Sequence, residues 1–77
     1  MKKTEFLREL EKVIEAPKGS LTGSETLTSL SGWDSMAALE FVAMADRLLG
    51  IPVSPGKLMT CETVGDLIQL VSQGLSD

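Results

Sequence analysis

The run from Met36 to Leu49 restricts the fold more than any other part of the chain. It is rich in strong helix formers. Asp34 and Ser35 come directly before it, and both residue types are favoured at a helix N-cap. Gly50 follows it and suits the left-handed backbone that commonly ends a helix. The sequence therefore predicts a central helix that begins at Asp34 or Ser35 and stops at Gly50.

An amphipathic helix is predicted before this central one. Between Thr4 and Ala16, apolar residues recur at helical spacing, and charged residues lie between them. The apolar residues are Phe6, Leu7, Leu10, Val13 and Ile14. Thr4 suits the N-cap, and Glu5 is favourable in the first turn. Pro17 lacks an N–H and clashes with the preceding turn, so the helix should end near Ala16.

The segment 17–33 is predicted to be a long loop held against the helices. It is rich in glycine and serine, yet Leu21, Leu27 and Leu30 are spread along it. A structureless loop of this length in a small domain is usually either functional or disordered. We expect the leucines to pack beneath the helices and the loop to be functional.

Two further helices are predicted after the central one. Ser54 followed by Pro55 has the pattern of an N-cap and a first helical residue, which predicts a short helix over 55–59. The segment Thr63-Val64-Gly65-Asp66 has a capping-box pattern, with an acid in place of the usual glutamate. Apolar residues then follow one helical face until Gly74, which predicts the last helix.

These segments predict a single all-α domain over residues 1–77, a small bundle of three main helices and one short helix. No segment alternates with period two, as a half-buried strand would. A chain of 77 residues buries only a little over ~60% of its unfolded surface. A deep active-site cavity is hard to fit beside so small a core. We therefore expect a binding or carrying module rather than an independent enzyme.

Charge and cysteine content exclude several other classes of protein. The net charge of −4 arises entirely from Asp34 onward, so phosphate backbones would be repelled and nucleic acid is not expected as a partner. One cysteine and no histidine exclude an internal disulfide and a cysteine–histidine zinc site. The chain shows no signal peptide and no apolar run of ~20 residues. We expect a cytoplasmic protein that is neither exported nor membrane-spanning.

The central helix is predicted to have a core face and an exposed face. At about 100° per residue, the core face consists of Ala38, Phe41, Val42, Ala45, Leu48 and Leu49. The exposed strip opposite consists of Met36, Glu40, Ala43 and Arg47, flanked by Met44 on one side and by Leu39 and Asp46 on the other. The methionines are either core residues at the surface edge or part of a docking surface. Because flexible thioethers suit contact with several partners, we favour the docking surface.

Ser35 lies at the top of this strip, and two roles are open to it. Its hydroxyl could cap the helix, as serine often does. If Asp34 is the cap, Ser35 becomes the first helical residue, with a free hydroxyl beside a helix N-terminus that favours phosphate. Serine-protease chemistry is excluded, because the chain has no histidine and no Gly-x-Ser-x-Gly turn. We expect Ser35 to be a modified residue rather than a nucleophile.

The chain resembles the acyl carrier protein family over nearly its whole length. The resemblance rests on Asp34-Ser35-Met36 at the central helix start, on Leu39-Glu40-Phe41-Val42 through to Leu49-Gly50-Ile51, and on Thr63-Val64-Gly65-Asp66-Leu67. It implies that a phosphopantetheinyl transferase, using coenzyme A and magnesium, attaches 4′-phosphopantetheine to Ser35. Asp34 matches the acid that in the family helps to bind the transferase's magnesium. The thiol of the arm then carries acyl or aminoacyl groups as thioesters between a loading ligase and downstream acyl-transferring or condensing enzymes.

Several residues depart from the fatty-acid members of this family. Those carriers line the exposed face of the second helix and the third helix with acids, which dock basic patches on their enzymes. This sequence keeps Glu40 and Asp46 but has Ala37, Ala43 and Arg47, and its segment 54–58 contains no acid. Weaker electrostatic steering would make apolar contact more important. These departures favour a specialised carrier over a housekeeping one. We also expect the carrier to be a monomer.

Alternatives stay open at this point. Trp33 either caps the core or contacts the arm or a partner. Cys61 aligns with an apolar core position of the family, which implies a buried and inert thiol. Retained acids keep a housekeeping fatty-acid carrier possible, and the exposed strip would also suit an unmodified helical interaction module. The candidates for partner contact are Trp33, Met36, Leu39, Glu40, Ala43, Met44 and Arg47.

Overall fold

The computed structural model describes residues 1–76, and the fold they form is all-α. Its helices are α1 (Lys3–Val13), α2 (Ser35–Leu49), α3 (Pro55–Met59) and α4 (Val64–Leu70), with 3₁₀ turns at Leu27–Ser29 and Ser72–Gly74. β-Type backbone pairing in this part of the chain is limited to two isolated bridges. None of the helices within residues 1–76 has the length and apolar character needed to cross a membrane. The predicted bundle of three main helices and one short helix is confirmed.

α1 begins two residues earlier than predicted, since its N-cap is Lys2 rather than Thr4. The Lys3 amide donates to the Ser76 carbonyl at 2.7 Å, and the Ser76 amide donates to the Met1 carbonyl at 2.9 Å. The Glu5 carboxylate accepts a hydrogen bond from the Lys2 amide at 2.8 Å. The Thr4 prediction was wrong because the C-terminal segment holds the helix start, a contact that local sequence does not show.

α1 also ends earlier than predicted, at Val13 instead of near Ala16. Glu15 adopts the left-handed conformation, with φ of 57°. Its amide donates to the Lys12 carbonyl at 3.3 Å, and the Ala16 amide donates to the Glu11 carbonyl at 2.8 Å. This is the hydrogen-bond pattern of a Schellman motif, which glycine usually forms. A glutamate in that position ends the helix before Pro17 would have done so.

α2 has the predicted ends, but its core face is rotated from the prediction. Asp34 is the N-cap, and Gly50 has a left-handed φ of 68°. The fully buried residues of α2 are Ala37, Phe41, Met44 and Ala45, whereas Ala38, Val42, Leu48 and Leu49 are half-buried. The shift amounts to roughly 60° about the helix axis. α2 is apolar around most of its circumference, so hydropathy alone did not fix its rotation.

The interior joins α1, α2 and α4 around two phenylalanines. Phe6 and Phe41 are completely buried, and their rings meet edge to face with centroids 5.9 Å apart. Val64, Leu67 and Val71 are equally buried.

α4 has the predicted capping box, but as an α-helix it ends at Leu70. A 3₁₀ turn over Ser72–Gly74 occupies the rest of the segment that was predicted to be helical.

The loop between α1 and α2 is packed, as predicted, and a buried glutamate holds it. Leu21 and Leu27 are buried, and Leu30 is half-buried. The Glu11 side chain is only 2% exposed, accepts hydrogen bonds from the amides of Gly19 and Leu21, and pairs with the Arg8 guanidinium at 3.1 Å. Two amide donors and one ion-pair partner therefore offset the cost of burying its charge.

Candidate functional site

Ser35 is the first residue of α2, and its side chain is exposed. The cap of the helix is Asp34, whose Oδ1 accepts a hydrogen bond from the Ala37 amide at 2.8 Å. No side chain or backbone group within residues 1–76 forms a hydrogen bond with the Ser35 hydroxyl. Of the two roles open to Ser35 in the sequence, capping is therefore taken by its neighbour, and the Ser35 hydroxyl is free at the surface.

The backbone around Ser35 is also suited to an anion. The amides of Ser35 and Met36 donate to no acceptor in the described chain, whereas the next amides, of Ala37 and Ala38, both donate to Asp34. α2 is 15 residues long, so its aligned peptide dipoles place partial positive charge at this end. A phosphate joined to the Ser35 oxygen would lie beside these two unpaired amide donors. It could accept hydrogen bonds from them without breaking any existing hydrogen bond of the helix start.

Trp33 connects this site to the core. The Trp33 and Phe41 rings meet at 74° with centroids 6.5 Å apart, and Phe41 in turn contacts Phe6. The half-buried Trp33 side chain also lines a cavity of about 280 Å³, together with Leu27, Thr28, Ala38, Leu58, Met59 and Cys61. The packing role of Trp33 is thus confirmed, and contact with the arm or a partner stays a prediction.

Most of the strip predicted to be exposed on α2 is exposed. Met36 and Leu39 have exposed fractions of 68% and 65%, and Glu40, Ala43 and Arg47 are exposed as well. Met44 does not belong to this surface, since it is only 1% exposed. That part of the prediction was wrong because the rotation of α2 carries Met44 into the core. The same rotation moves Leu39 toward the middle of the exposed face.

Met59 is an exposed apolar residue that the sequence reasoning missed. It is the last residue of α3 and has an exposed fraction of 85%. The sequence did contain a signal, namely two adjacent apolar residues, Leu58 and Met59, in a predicted helix of one turn. So short a helix buries only Leu58, and Met59 has no place in the core. Met59 lines the cavity beside Trp33, so that cavity is bordered by an exposed apolar side chain from a second helix.

Comparison with known proteins identifies the family of the chain. A family model described as "Phosphopantetheine attachment site" matches residues 4–71. The chain belongs to this phosphopantetheine attachment family. The family's domain carries covalently attached 4′-phosphopantetheine and serves as a non-catalytic carrier. The comparisons with curated proteins and with solved structures found no match to the chain.

Outside the Ser35 site, the pKa values of Cys61, Glu25 and Asp66 are perturbed. Burial and then the charge of Asp66 raise the pKa of the half-buried Cys61 thiol, which donates to the Lys57 carbonyl at 3.6 Å. A raised pKa keeps the sulfur in its unreactive protonated form. Cys61 is half-buried at the cavity wall rather than fully buried in the core.

The Glu25 carboxylate is the second perturbed group, and it belongs to the loop rather than to the Ser35 site. Burial raises its pKa, but hydrogen bonds from the backbone of Gly23, Glu25 and Thr22 and from the Thr22 hydroxyl outweigh burial, so the pKa falls from 4.5 to about 2.

Within residues 1–76, no group of three or more metal-ligating side chains is placed to hold a metal ion.

Proposed function

We propose that Ser35 is the residue that carries 4′-phosphopantetheine, with acyl or aminoacyl groups held on the arm as thioesters and presented to partner enzymes. The observation that carries this proposal is the open start of α2, where the Ser35 hydroxyl and two adjacent amides are all unpaired. The arm supplies a thiol that forms thioesters. The chain's own contribution is to expose the attachment oxygen and to orient it from a rigid helix.

Attachment requires a single exchange of bonds at phosphorus. The Ser35 oxygen forms a bond to the pantetheine-side phosphorus of coenzyme A, the pyrophosphate linkage breaks, and the nucleotide half leaves with its remaining phosphates. The hydroxyl proton passes to a base. Asp34 immediately precedes Ser35 in the chain, and one of its carboxylate oxygens, Oδ1, accepts a hydrogen bond from the Ala37 amide. Its second oxygen is the atom through which we expect it to assist the transferase's magnesium.

The exposed face of α2 is the proposed docking surface for the transferase, the loading ligase and the downstream enzymes. Met36 and Leu39 place large apolar side chains there, and Glu40 and Arg47 contribute charges of opposite sign. α3 carries Lys57 and no acid. Docking should therefore depend more on apolar contact than on long-range attraction to a basic enzyme. This balance supports a specialised carrier, acting in the cytoplasm, over a housekeeping fatty-acid carrier.

Intact mass tests the attachment site. The purified chain is incubated with coenzyme A, magnesium and a broad-specificity phosphopantetheinyl transferase, and we expect the mass of one arm to be added. Ser35→Ala should abolish the addition. Ser54→Ala is the matched control, because Ser54 also stands at a helix start but caps α3 through its hydroxyl. No addition to the wild-type chain, or an addition that survives Ser35→Ala, would disprove the proposal.

The choice between a specialised and a housekeeping carrier has its own test. The loaded chain is offered malonyl groups and the enzymes of fatty-acid elongation. A specialised carrier should accept malonyl poorly and support little elongation, and efficient elongation would favour the housekeeping carrier. The enzymes encoded beside this protein provide a second indication, since an adjacent adenylating ligase or condensing enzyme would point to the class of cargo.

A second function is favoured by the same exposed apolar residues. Met36, Leu39 and Met59 are each at least 65% exposed, which suits an unmodified module that binds a partner through this surface. Protein recovered from its native host should then be fully unmodified and bound to a partner, and Leu39→Ser should release the partner. Recovery of the chain with the arm attached would rule out this function.

A further inference from the structure

Gly32 lies against the end of α1, three residues before Ser35. A Cβ on Gly32 would overlap the carbonyl oxygen of Ile14, and it would stand 2.8 Å from the carbonyl carbon and 2.9 Å from the Ile14 Cβ. Cβ atoms essentially never come within 3.0 Å of another heavy atom, so one of the two backbones would have to move. The φ of Gly32 is not left-handed, and glycine is therefore required there for space rather than for conformation.

The α1 side of this contact is firmly held. Ile14 is only 6% exposed, and its amide donates to the Leu10 carbonyl at 3.2 Å. The Schellman hydrogen bonds of Glu15 and Ala16 fix the turn that follows. Glu11, which accepts from the loop amides, ties the same turn to the beginning of the loop. A side chain on Gly32 would therefore displace the loop rather than the helix end.

The loop side leads directly to the modified residue. The Trp33 amide donates to the Leu30 carbonyl at 3.1 Å, and the Trp33 ring rests against Phe41. Asp34 follows at once and caps α2 through the 2.8 Å hydrogen bond from Ala37. Only Trp33 separates Gly32 from the cap residue Asp34. A displacement of the backbone at Gly32 should therefore also displace Asp34 and Ser35.

We propose that Gly32 is a positioning residue for the modification of Ser35. Its missing side chain lets the loop rest on the Ile14 carbonyl, and this contact sets the place of Asp34 and of the Ser35 hydroxyl relative to α2. The inference rests on the proposed function of Ser35. It adds that the end of α1, although none of its atoms is modified, determines how well the Ser35 hydroxyl is positioned for the transferase.

Transferase kinetics on Gly32→Ala and Gly65→Ala test the proposal. A Cβ on Gly65 would also be too close to a backbone oxygen, 2.9 Å from the Gly23 carbonyl, but that contact lies at the start of α4. Gly32→Ala should lower kcat/KM for arm attachment by about tenfold to a hundredfold, as a misplacement of ~1 Å can. Most of the loss should fall in kcat, because the docking face of α2 is retained. Gly65→Ala should leave attachment near the wild-type rate.

Amide exchange provides a readout that a general loss of stability would not give. Protection of the Ala37 amide, which reports the Asp34 cap, should fall in Gly32→Ala while amides in the middle of α2 remain protected. Both variants are measured in buffer and again with sucrose, which favours the folded state through exclusion from the protein surface. The kinetic defect of Gly32→Ala should persist in sucrose, whereas a defect caused by partial unfolding should disappear.

Failure of this inference can be distinguished from failure of the proposed function. If the wild-type chain is not modified at Ser35, the proposed function fails. If the wild type is modified and Gly32→Ala is modified equally fast, or if sucrose restores its rate, only the positioning role fails. A Gly32→Ala chain that does not fold even in sucrose would show a general folding requirement and would also overturn the positioning role.

Discussion

The helix that carries Ser35 and the helix that follows Thr63 begin in opposite ways. In α4 the first three amides are all bonded within the protein: Val64 to the Glu25 carbonyl, Gly65 to the Gly23 carbonyl, and Asp66 to the Thr63 hydroxyl. In α2 the first two amides, of Ser35 and Met36, have no acceptor in the described chain. One helix start is closed by the rest of the fold, and the other is open.

The capping acids show the same difference. Asp66 accepts hydrogen bonds from the amides of both Glu62 and Thr63, and these bonds lower its pKa. The Asp34 carboxylate accepts a hydrogen bond from the Ala37 amide alone. The open start is stable because α2 is held through its side chains, by way of Phe41 between Phe6 and Trp33. If Ser35 carries the arm, as we propose, this division is an advantage, since the helix can present unpaired donors to an incoming phosphate without depending on them for its fold.

Phe41→Ala should give the largest loss of stability, because it removes the anchor of the open helix. The side chain is fully buried between two aromatic rings, and such truncations cost about 3 to 5 kcal/mol. Chemical denaturation of the variant measures the loss. Glu40→Ala is the control on the exposed face of the same helix and should cost less than about 0.5 kcal/mol. Similar losses for the two variants would show that side-chain packing does not hold α2.

Thr63→Ala should have the next largest effect, since it opens the closed start of α4. Loss of an N-cap hydroxyl costs about 0.5 to 2 kcal/mol, and this one also belongs to a capping box. We expect the upper part of that range by chemical denaturation. Thr4→Ala is the matched control, because Thr4 is an exposed residue inside α1 where alanine is the better helix former. A Thr63→Ala loss below that of Asp34→Ala would contradict the comparison.

Asp34 substitutions should separate capping from the modification chemistry. Asp34→Ala should cost about 1 kcal/mol, whereas Asp34→Asn keeps a side-chain acceptor and should cost only a few tenths. If the charge of Asp34 assists the transferase's magnesium, Asp34→Asn should still slow arm attachment by roughly tenfold or more. Denaturation and intact-mass kinetics are measured on the same samples. An Asp34→Asn chain modified as fast as wild type would limit Asp34 to a structural cap.

The features that the sequence predicted correctly are mostly those decided by a few neighbouring residues. Asp34, Gly50 and the Thr63 capping box act through side chain-to-backbone bonds within one helical turn, so the pattern and the structure agree. The Ser35 environment follows from them, because the free hydroxyl is a consequence of Asp34 taking the cap. Family resemblance then supplied the arm, which hydrogen bonding alone does not specify.

The features that the sequence missed depend on distant contacts. Ser76 holds the start of α1, which no pattern near Thr4 could reveal. Glu11 is buried because loop amides and Arg8 converge on it, although its position in the helix pattern resembles that of a solvated charge. Met44 is buried because packing against the rest of the core, and not the hydropathy of α2 alone, sets the rotation of that helix. The closeness of Gly32 to Ile14 is likewise a relation between separate segments, and it is the one that matters most for Ser35.

Acid should weaken the closed helix start through Glu25, and this is the smallest effect we predict. Because the folded-state pKa of Glu25 is lowered to about 2, its ionised form contributes stability above pH 4.5, and this contribution is lost as the pH falls through 2. Glu25 orders the turn whose carbonyls receive the α4 amides, but it is only half-buried, so solvent should limit its contribution to about 1 kcal/mol or less. The free energy of unfolding is measured against pH for the wild type and for Glu25→Gln. The gap between the two should be constant near neutral pH and shrink between pH 4.5 and 2, and a gap that does not change with pH would show that Glu25 acts by shape rather than by charge.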